Sequence, residues 1–306
     1  MKLARARRGL TYERLWALVV LDCTLADVLA GAPPTGRYLY PPERDLFWAD
    51  PFPVHDAEGR LWIFVEEMHR WRGLGEIVAL RIADGQVVNR TSVLRSRHHY
   101  SFPQAHFHEG TWTASAETCD PAAPMYTFTA PGAPWAASLR TLPPRIIDPA
   151  VGVPESGSAE RTWYLTATAP DDYFAGFRAW QAEEGVGWEP VAEQSFRDAA
   201  LARPAGNADL ARGLRSVQDC SDNYGIATSI IEWDPRVTTT PAGPGAVRRR
   251  LTGDDFGHGA LGTHTLSWTP DGEVVVADVW KRGPQVWSGA HRVLEQRHSR
   301  VCRRSG

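Results

Sequence analysis

The chain has 306 residues, 43% of them hydrophobic and 23% charged, and a formal net charge of −3. That length suffices for one large all-β core. The near-neutral balance excludes a disordered chain and gives no basic surface for nucleic acid. Reading from the start, Lys2, Arg5, Arg7 and Arg8 precede an apolar stretch at 15–21, with Glu13, Arg14, Asp22 and Asp27 around it. Those charges leave too short an apolar run for a membrane span or a cleaved leader. Residues 11–29 therefore read as an amphipathic helix ended by Gly31, Pro33 and Pro34, and residues 1–40 as a helix and linker packed on the main domain.

From Phe47 the helical period gives way to short alternating runs bounded by turn residues. Arg60-Leu61-Trp62-Ile63-Phe64-Val65 follows Asp56-Ala57-Glu58-Gly59, and Thr111-Trp112-Thr113-Ala114-Ser115 follows Glu109-Gly110. Arg161-Thr162-Trp163-Tyr164-Leu165-Thr166 and Glu273-Val274-Val275-Val276-Ala277, the latter after Pro270-Asp271-Gly272, repeat the design, each a strand of a hairpin. Five anchors open these units: Ala49-Asp50-Pro51-Phe52, Ser101-Phe102-Pro103, Ile147-Asp148-Pro149, Gln218-Asp219-Cys220 and Gly262-Thr263-His264-Thr265. They lie about 45 to 70 residues apart, a blade-sized spacing, so residues 41–290 are expected to form a five-bladed β-propeller. Two stacked β-sandwich sheets are the alternative for the same strands.

The rhythm breaks over 171–215, where helix-compatible pieces at 196–202 and 207–214 predict a helical and loop insertion in blade four. Residues 291–306 read as a basic, solvated tail. Four scattered cysteines, at 23, 119, 220 and 302, have neither metal-site nor disulfide-framework spacing. Reduced thiols and a cytoplasmic setting are the expectation.

Aspartates recurring at equivalent strand openings have a chemical consequence. Asp50, Asp148 and Asp219 would meet at the propeller axis, raise one another's pKa and leave one carboxyl holding a proton. The plainer alternative is that each Asp-Pro only caps a turn. Trp48, Trp71, Tyr100 and Tyr224 offer flat faces near the same anchors, and Arg203 and Gln218 offer donors, a mixture suited to a sugar or another polyhydroxylated small molecule. The histidines at 98, 99, 106 and 108 place no third ligand at metal spacing, so no zinc site is expected.

Phe47-Trp48-Ala49-Asp50-Pro51-Phe52 with Phe64-Val65-Glu66-Glu67 and Gly75-Glu76-Ile77 resembles the first blade of the N-terminal propeller domain of glucosamine inositolphosphorylceramide transferases. His99-Tyr100-Ser101-Phe102-Pro103, Glu117-Thr118, Ala202-Arg203-Pro204-Ala205-Gly206, Arg215-Ser216-Val217-Gln218-Asp219-Cys220, Tyr224-Gly225 and Gly262-Thr263-His264-Thr265-Leu266 continue the likeness. The architecture is shared with propellers of glycoside hydrolase family 43. There, one Asp acts as base or nucleophile, a second tunes and orients, and a Glu donates a proton.

By that resemblance Asp50 and Asp148 take the first two roles. Blade four offers Gln218 and Asp219 in place of a Glu, which leaves Glu117 or Glu67 as proton donor. The resemblance implies Asp50, Asp148 and Glu117 as catalytic residues. Glu67, Tyr100, Gln104, His106, Arg203, Gln218, Asp219, Tyr224, His264 and Trp48 are expected around the substrate, with Gln104 and His106 standing where apolar residues would be expected and so marking a retuned pocket. A structural calcium near His264 is the one ion the resemblance suggests. The expected function is a carbohydrate-active propeller processing a glycosyl-containing small molecule, with no nucleic acid and no membrane span. A non-catalytic sugar-binding module or partner subunit, and a biosynthetic enzyme of acid–base rearrangement, stand as alternatives.

Overall fold

The computed structural model describes residues 13–69, 73–120, 123–236 and 243–283. Trp71 and the basic tail expected at 291–306 lie outside the described residues. Four successive sheets follow chain order. The first joins β3 (Leu46–His55), β4 (Leu61–His69), β5 (Leu74–Ala83) and β6 (Gln86–Leu94). The second joins β7 (Tyr100–His108), β8 (Thr111–Thr118), β9 (Pro124–Phe128) and β10 (Ala136–Thr141). The third comprises β11 (Ile147–Gly152), β12 (Thr162–Thr168), β13 (Gly176–Glu183) and β14 (Val186–Pro190), with β15 (Phe196–Arg197) beside β13. The fourth holds β16 (Pro204–Asp209), β17 (Leu214–Asp219), β18 (Ala227–Glu232) and β19 (Val247–Thr252).

Through one parallel contact between β16 and β20 (Gly262–Trp268) the fourth unit continues into an eight-stranded sheet, whose other half is a fifth blade-like unit that combines both ends of the described chain. Its inner strands are β20 and β21 (Val275–Gly283), and its outer strands are β1 (Glu13–Leu21) and β2 (Gly36–Leu39). The antiparallel ladder between β1 and β21 runs from Glu13↔Gly283 to Val20↔Val276. The expected helix at 11–29 is thus a strand over Glu13–Leu21, and helix survives only in α1 (Leu25–Leu29), which Thr24 and Asp27 start with a reciprocal cap. A strand between two blades buries both faces, so its apolar run is continuous. Without alternation, such a run cannot be told from a buried helix by period.

Tight hairpins set the blade edges. Asp84-Gly85, Glu109-Gly110 and Glu184-Gly185 are two-residue loops with positive φ at both positions, the twist that matches antiparallel strands. The apolar cores lie between blades. Phe52, Trp62 and Phe64 meet Trp112, Phe128 and Trp135 between the first and second, and Leu18, Trp48, Ile63, Val65 and Val276 meet between the fifth and first.

The predicted helical insertion at 171–215 is absent. That stretch forms the outer strands of the third blade and the inner strand of the fourth, with only single 3₁₀ turns at Pro170–Asp172 and Ala192–Gln194. Blade four therefore opens at Pro204-Ala205-Gly206, and Gln218-Asp219 ends its second strand. Gly206, at φ 142, pairs with Leu266 of β20, and a Cβ there would lie 2.2 Å from the Leu266 carbonyl oxygen. Only glycine permits the backbones of blades four and five to approach this closely.

Cys119 is disulfide-bonded, whereas Cys23 and Cys220 are free. The expectation of reduced thiols throughout fails at Cys119, because pairing depends on spatial proximity rather than on sequence spacing. No helix among the described residues is long and apolar enough to cross a membrane.

Candidate functional site

Every inner strand breaks register near its beginning: between Ala49 and Phe52, Ser101 and Gln104, Ile147 and Ala150, Pro204 and Ala208, and Thr263 and Leu266. In the first three the bulge is carried by a residue with positive φ followed by proline: Asp50 at 51°, Phe102 at 47° and Asp148 at 50°. Aspartate tolerates this conformation, and proline removes a donor that the bulge would leave unpaired. A bulge re-aims the side chain that it carries. Both aspartates use that freedom to reach neighbouring blades rather than to cap turns of their own.

Asp50 is 6% exposed. Its Oδ2 accepts the Phe102 backbone N–H of blade two at 3.0 Å, and its Oδ1 accepts the Thr265 hydroxyl of blade five at 2.8 Å. His264 Nε2 lies 3.3 Å from the same Oδ1. Burial pushes the Asp50 carboxyl up to about 6; His264 opposes that rise, and Asp278 and Asp148 add to it. A carboxylate has about four lone-pair positions. One on Oδ2 remains uncommitted.

Asp148 is the centre of a second group. Its Oδ2 accepts from Arg203 Nε at 2.5 Å, and its backbone N–H donates to Glu117 Oε2 at 3.0 Å. Glu117 is raised well above the ordinary glutamate range by burial, by the charge on Asp148, and by a hydrogen bond between the two carboxyls, with Arg203 opposing. Glu117 is thereby pushed toward its protonated form. Arg203, 2% exposed, lies over the Tyr173 ring at 4.2 Å and the Tyr224 ring at 5.0 Å.

Glu66 completes the cluster from blade one. Burial, followed by the charges of Asp50, Glu117, Asp278 and Asp148, holds its carboxyl well above the ordinary value. Its Oε1 has no hydrogen-bond partner among the described residues and lies 3.5 Å from His99 Nε2. Aromatic faces flank His264, with the Trp16 ring 4.2 Å away and Tyr224 edge-on at 5.3 Å.

The structure thus brings together Asp50, Asp148, Glu117, Arg203, Tyr224 and His264, and places other expected site residues elsewhere. Glu67 faces away from the axis, because strand neighbours alternate and Glu66 takes the inward position opposite Ala49. It accepts Trp48 Nε1–H at 2.9 Å and pairs with Arg90, so Glu67 and Trp48 belong to the packing between blades. Glu67→Ala is expected to lower stability by about 2–4 kcal/mol, since it strands the Trp48 donor and leaves a hole. Ligand affinity should not change; urea unfolding beside a binding titration checks both.

Tyr100 lies in the core between blades one and two. Gln104 is fully buried and bridges blades, donating to the Gly206 carbonyl at 2.8 Å and accepting from Val151 N–H at 2.6 Å. His106 sits about 13 Å further along its strand than Phe102, at roughly 3.3 Å per residue. Burial, with His108 beside it, lowers its pKa to about 4. Gln218 Nε2 donates to the His264 carbonyl at 3.3 Å. Asp219 is committed to the Ser221 turn and to Arg250 at 2.6 Å. Glu66, Trp16, Tyr173, Thr265 and Asp278 join the site without having been anticipated there.

The residues near His264 do not fit a calcium ion. Asp50, His264 and Asp278 offer atoms within 4.8 Å of one another, but His264 Nδ1 and Asp278 Oδ2 are already hydrogen-bonded at 2.6 Å. Both Asp278 oxygens also accept backbone N–H groups. Calcium takes six to eight oxygen ligands, and these lone pairs are already in use.

No protein-family model matches the sequence and no curated protein matches it. The fold is similar to that of the α-L-arabinofuranosidase from Podospora anserina crystallised with cellotriose, with TM-score 0.52 and 11% identity over 82% of this chain and 96% of that one. A putative glycoside hydrolase from Parabacteroides distasonis superposes with TM-score 0.48 and 11% identity over 85% and 92% of the two chains. At these identities the likeness is one of fold.

Proposed function

We propose that this propeller binds a glycosyl-containing substrate at the axial cluster and processes it by carboxylate acid–base chemistry. One observation carries the reading. Blades one, two and three each send a carboxyl group to one place, and burial raises two of them in unlike surroundings, Asp50 to about 6 beside His264 and Glu117 well above the ordinary glutamate range beside Asp148. Two buried carboxyls in unlike surroundings are how a single site supplies an acid and a base at one pH. Glu117 is the proton donor to a leaving oxygen. Asp50, with its uncommitted lone pair and pKa near 6, is the base or nucleophile. Asp148, paired to Arg203, keeps the Glu117 proton in place. Tyr173, Tyr224 and Trp16 supply the flat faces on which sugar rings stack. The resemblance to the transferase-associated propeller and the fold of the arabinofuranosidase both support a polyhydroxylated ligand.

The second reading, a sugar-binding module or partner subunit without turnover, is favoured by Arg203. The hydrolase resemblance calls for a Glu in blade four, and its opening is Arg203-Pro204-Ala205-Gly206. A panel of natural and nitrophenyl glycosides, with release of reducing sugar and calorimetric binding followed in parallel, separates the two. Glu117→Gln is expected to cost about 10²–10⁴-fold in turnover on poor leaving groups and far less on nitrophenol, which needs no proton. Sugars that bind but are never turned over would establish the module; a Glu117→Gln variant as active as the parent on every substrate would remove Glu117 as the acid.

A further inference from the structure

We infer that Asp278 is the positioning residue of this site: it holds the His264 imidazole with Nδ1–H turned inward, so that Nε2 faces Asp50. The inference rests on the reading of Asp50 as the reacting carboxylate and adds blade five to the machinery.

The fold prepares the arrangement. At the β20 bulge Thr263 pairs with Val279 and Leu266 with Ala277, so His264 and Thr265 together face the single residue Asp278. The bulge takes the N–H groups of His264 and Thr265 out of the ladder, and both donate to Asp278 Oδ1, at 3.1 and 2.9 Å. Asp278 Oδ2 accepts the Asp50 backbone N–H at 3.0 Å and His264 Nδ1–H at 2.6 Å. Four donors fill a carboxylate that has no solvent exposure. One side chain thereby fixes the backbone of Asp50, the backbone of His264 and the tautomer of its ring.

The imidazole is held edge to edge with its target. Nε2 stands 3.3 Å from Asp50 Oδ1, and Trp16 and Tyr224 confine the ring. The groups acting on Asp50 are His264 and Thr265 from β20, Asp278 from β21, the Phe102 N–H from β7, Asp148 from β11 and Glu66 from β4. His264 is the one cation in contact with it among the described residues. Burial alone would lower the His264 pKa, but Asp278 and then Asp50 outweigh burial and raise it. Asp278 thereby keeps a positive charge beside Asp50 that an uncharged partner would not sustain.

Nitrogen-detected NMR titration of histidine-labelled full-length protein tests this without any turnover, with the His264 signals identified by their loss in His264→Gln. The parent protein should show Nδ1 protonated and titration above the ordinary histidine range. Asp278→Asn should lower that titration and turn Nδ1 into an acceptor. Identical His264 behaviour in both proteins overturns the inference. So does an unprotonated Nδ1 in the parent protein, a result that stands even if Asp278→Asn fails to fold.

Where the glycoside panel gives turnover, Asp278→Asn should lower kcat by about 10- to 100-fold with KM nearly unchanged. It should also move the acid limb of the pH profile upward: the variant loses both the His264 cation that lowers the Asp50 pKa and the Asp278 charge that raises it, and the His264 effect is the larger of the two. An unmoved profile overturns the inference although Asp50 chemistry stands. Should the panel show no turnover, the NMR result still decides the role of Asp278, so the two failures are distinguishable.

Discussion

Asp50→Asn is expected to lower turnover by about 10²–10⁴-fold and, in the same protein, to make the fold harder to unfold at neutral pH. The first effect follows from losing a carboxylate that combines an uncommitted lone pair with a pKa of about 6. The second follows from the cost of ionising it. Burial raises the Asp50 pKa from 3.8 to about 6, so the folded state favours the protonated form. That stabilisation is complete below the unfolded value and is lost as pH climbs through 6. At pH 7 the ionised carboxylate costs the fold about 3 kcal/mol at most. The attraction of His264 is also lost in the variant, so the net gain is smaller. Asparagine keeps the contacts, accepting from Phe102 N–H with its oxygen and donating to a rotated Thr265 hydroxyl.

Urea unfolding at pH 7.5 and at pH 4 gives the sign directly. The variant should unfold later than the parent protein at pH 7.5, and the two should converge at pH 4, where both side chains are neutral. Activity of the parent protein should rise through pH 6 on the acid side as Asp50 ionises, and fall again at higher pH as Glu117, raised by burial and Asp148, loses its proton. A variant within a few-fold of parental turnover, or one less stable than the parent at pH 7.5, would contradict this account.

How much of the site was legible depended on which physical rule placed each residue. Asp50 and Asp148 were readable because an Asp-Pro pair at the start of a strand carries its own bulge, a local property. Phe102-Pro103 has the same backbone without a carboxyl, which explains why blade two contributes its acid from the second strand, at Glu117. Glu66 and Glu67 were not separable from sequence. Their inward and outward positions follow from the register of β3 against β4, and that register shifts at the bulge. Blade four was misplaced because Arg203-Pro204-Ala205-Gly206 lacks the aspartate that marked the other openings, while Gln218-Asp219 imitates it. Trp16 and Asp278 were hidden by ring closure. Only the pairing of β1 with β21 brings Trp16 of the described N-terminal strand beside His264, and an apolar strand buried on both faces carries no period to announce it.

Replacing Arg203 by methionine should have the largest effect on the fold of any single change at the site. Arg203 is buried, forms the one direct ion pair of Asp148 among the described residues, and fills the space between Tyr173 and Tyr224. Methionine keeps much of the volume and removes the charge. A buried ion pair broken on one side typically costs about 3–5 kcal/mol, because the remaining charge is left in a poorly polarisable interior. Lysine should recover part of the charge term without the planar stack or the directed Nε–H, and so fall between the two. Urea unfolding of the three proteins checks the order. A lysine variant no more stable than the methionine variant would mean that packing against the two tyrosines, rather than a charge beside Asp148, is what Arg203 contributes, and the assignment of Arg203 as the group that fixes Asp148 against Glu117 would then fail.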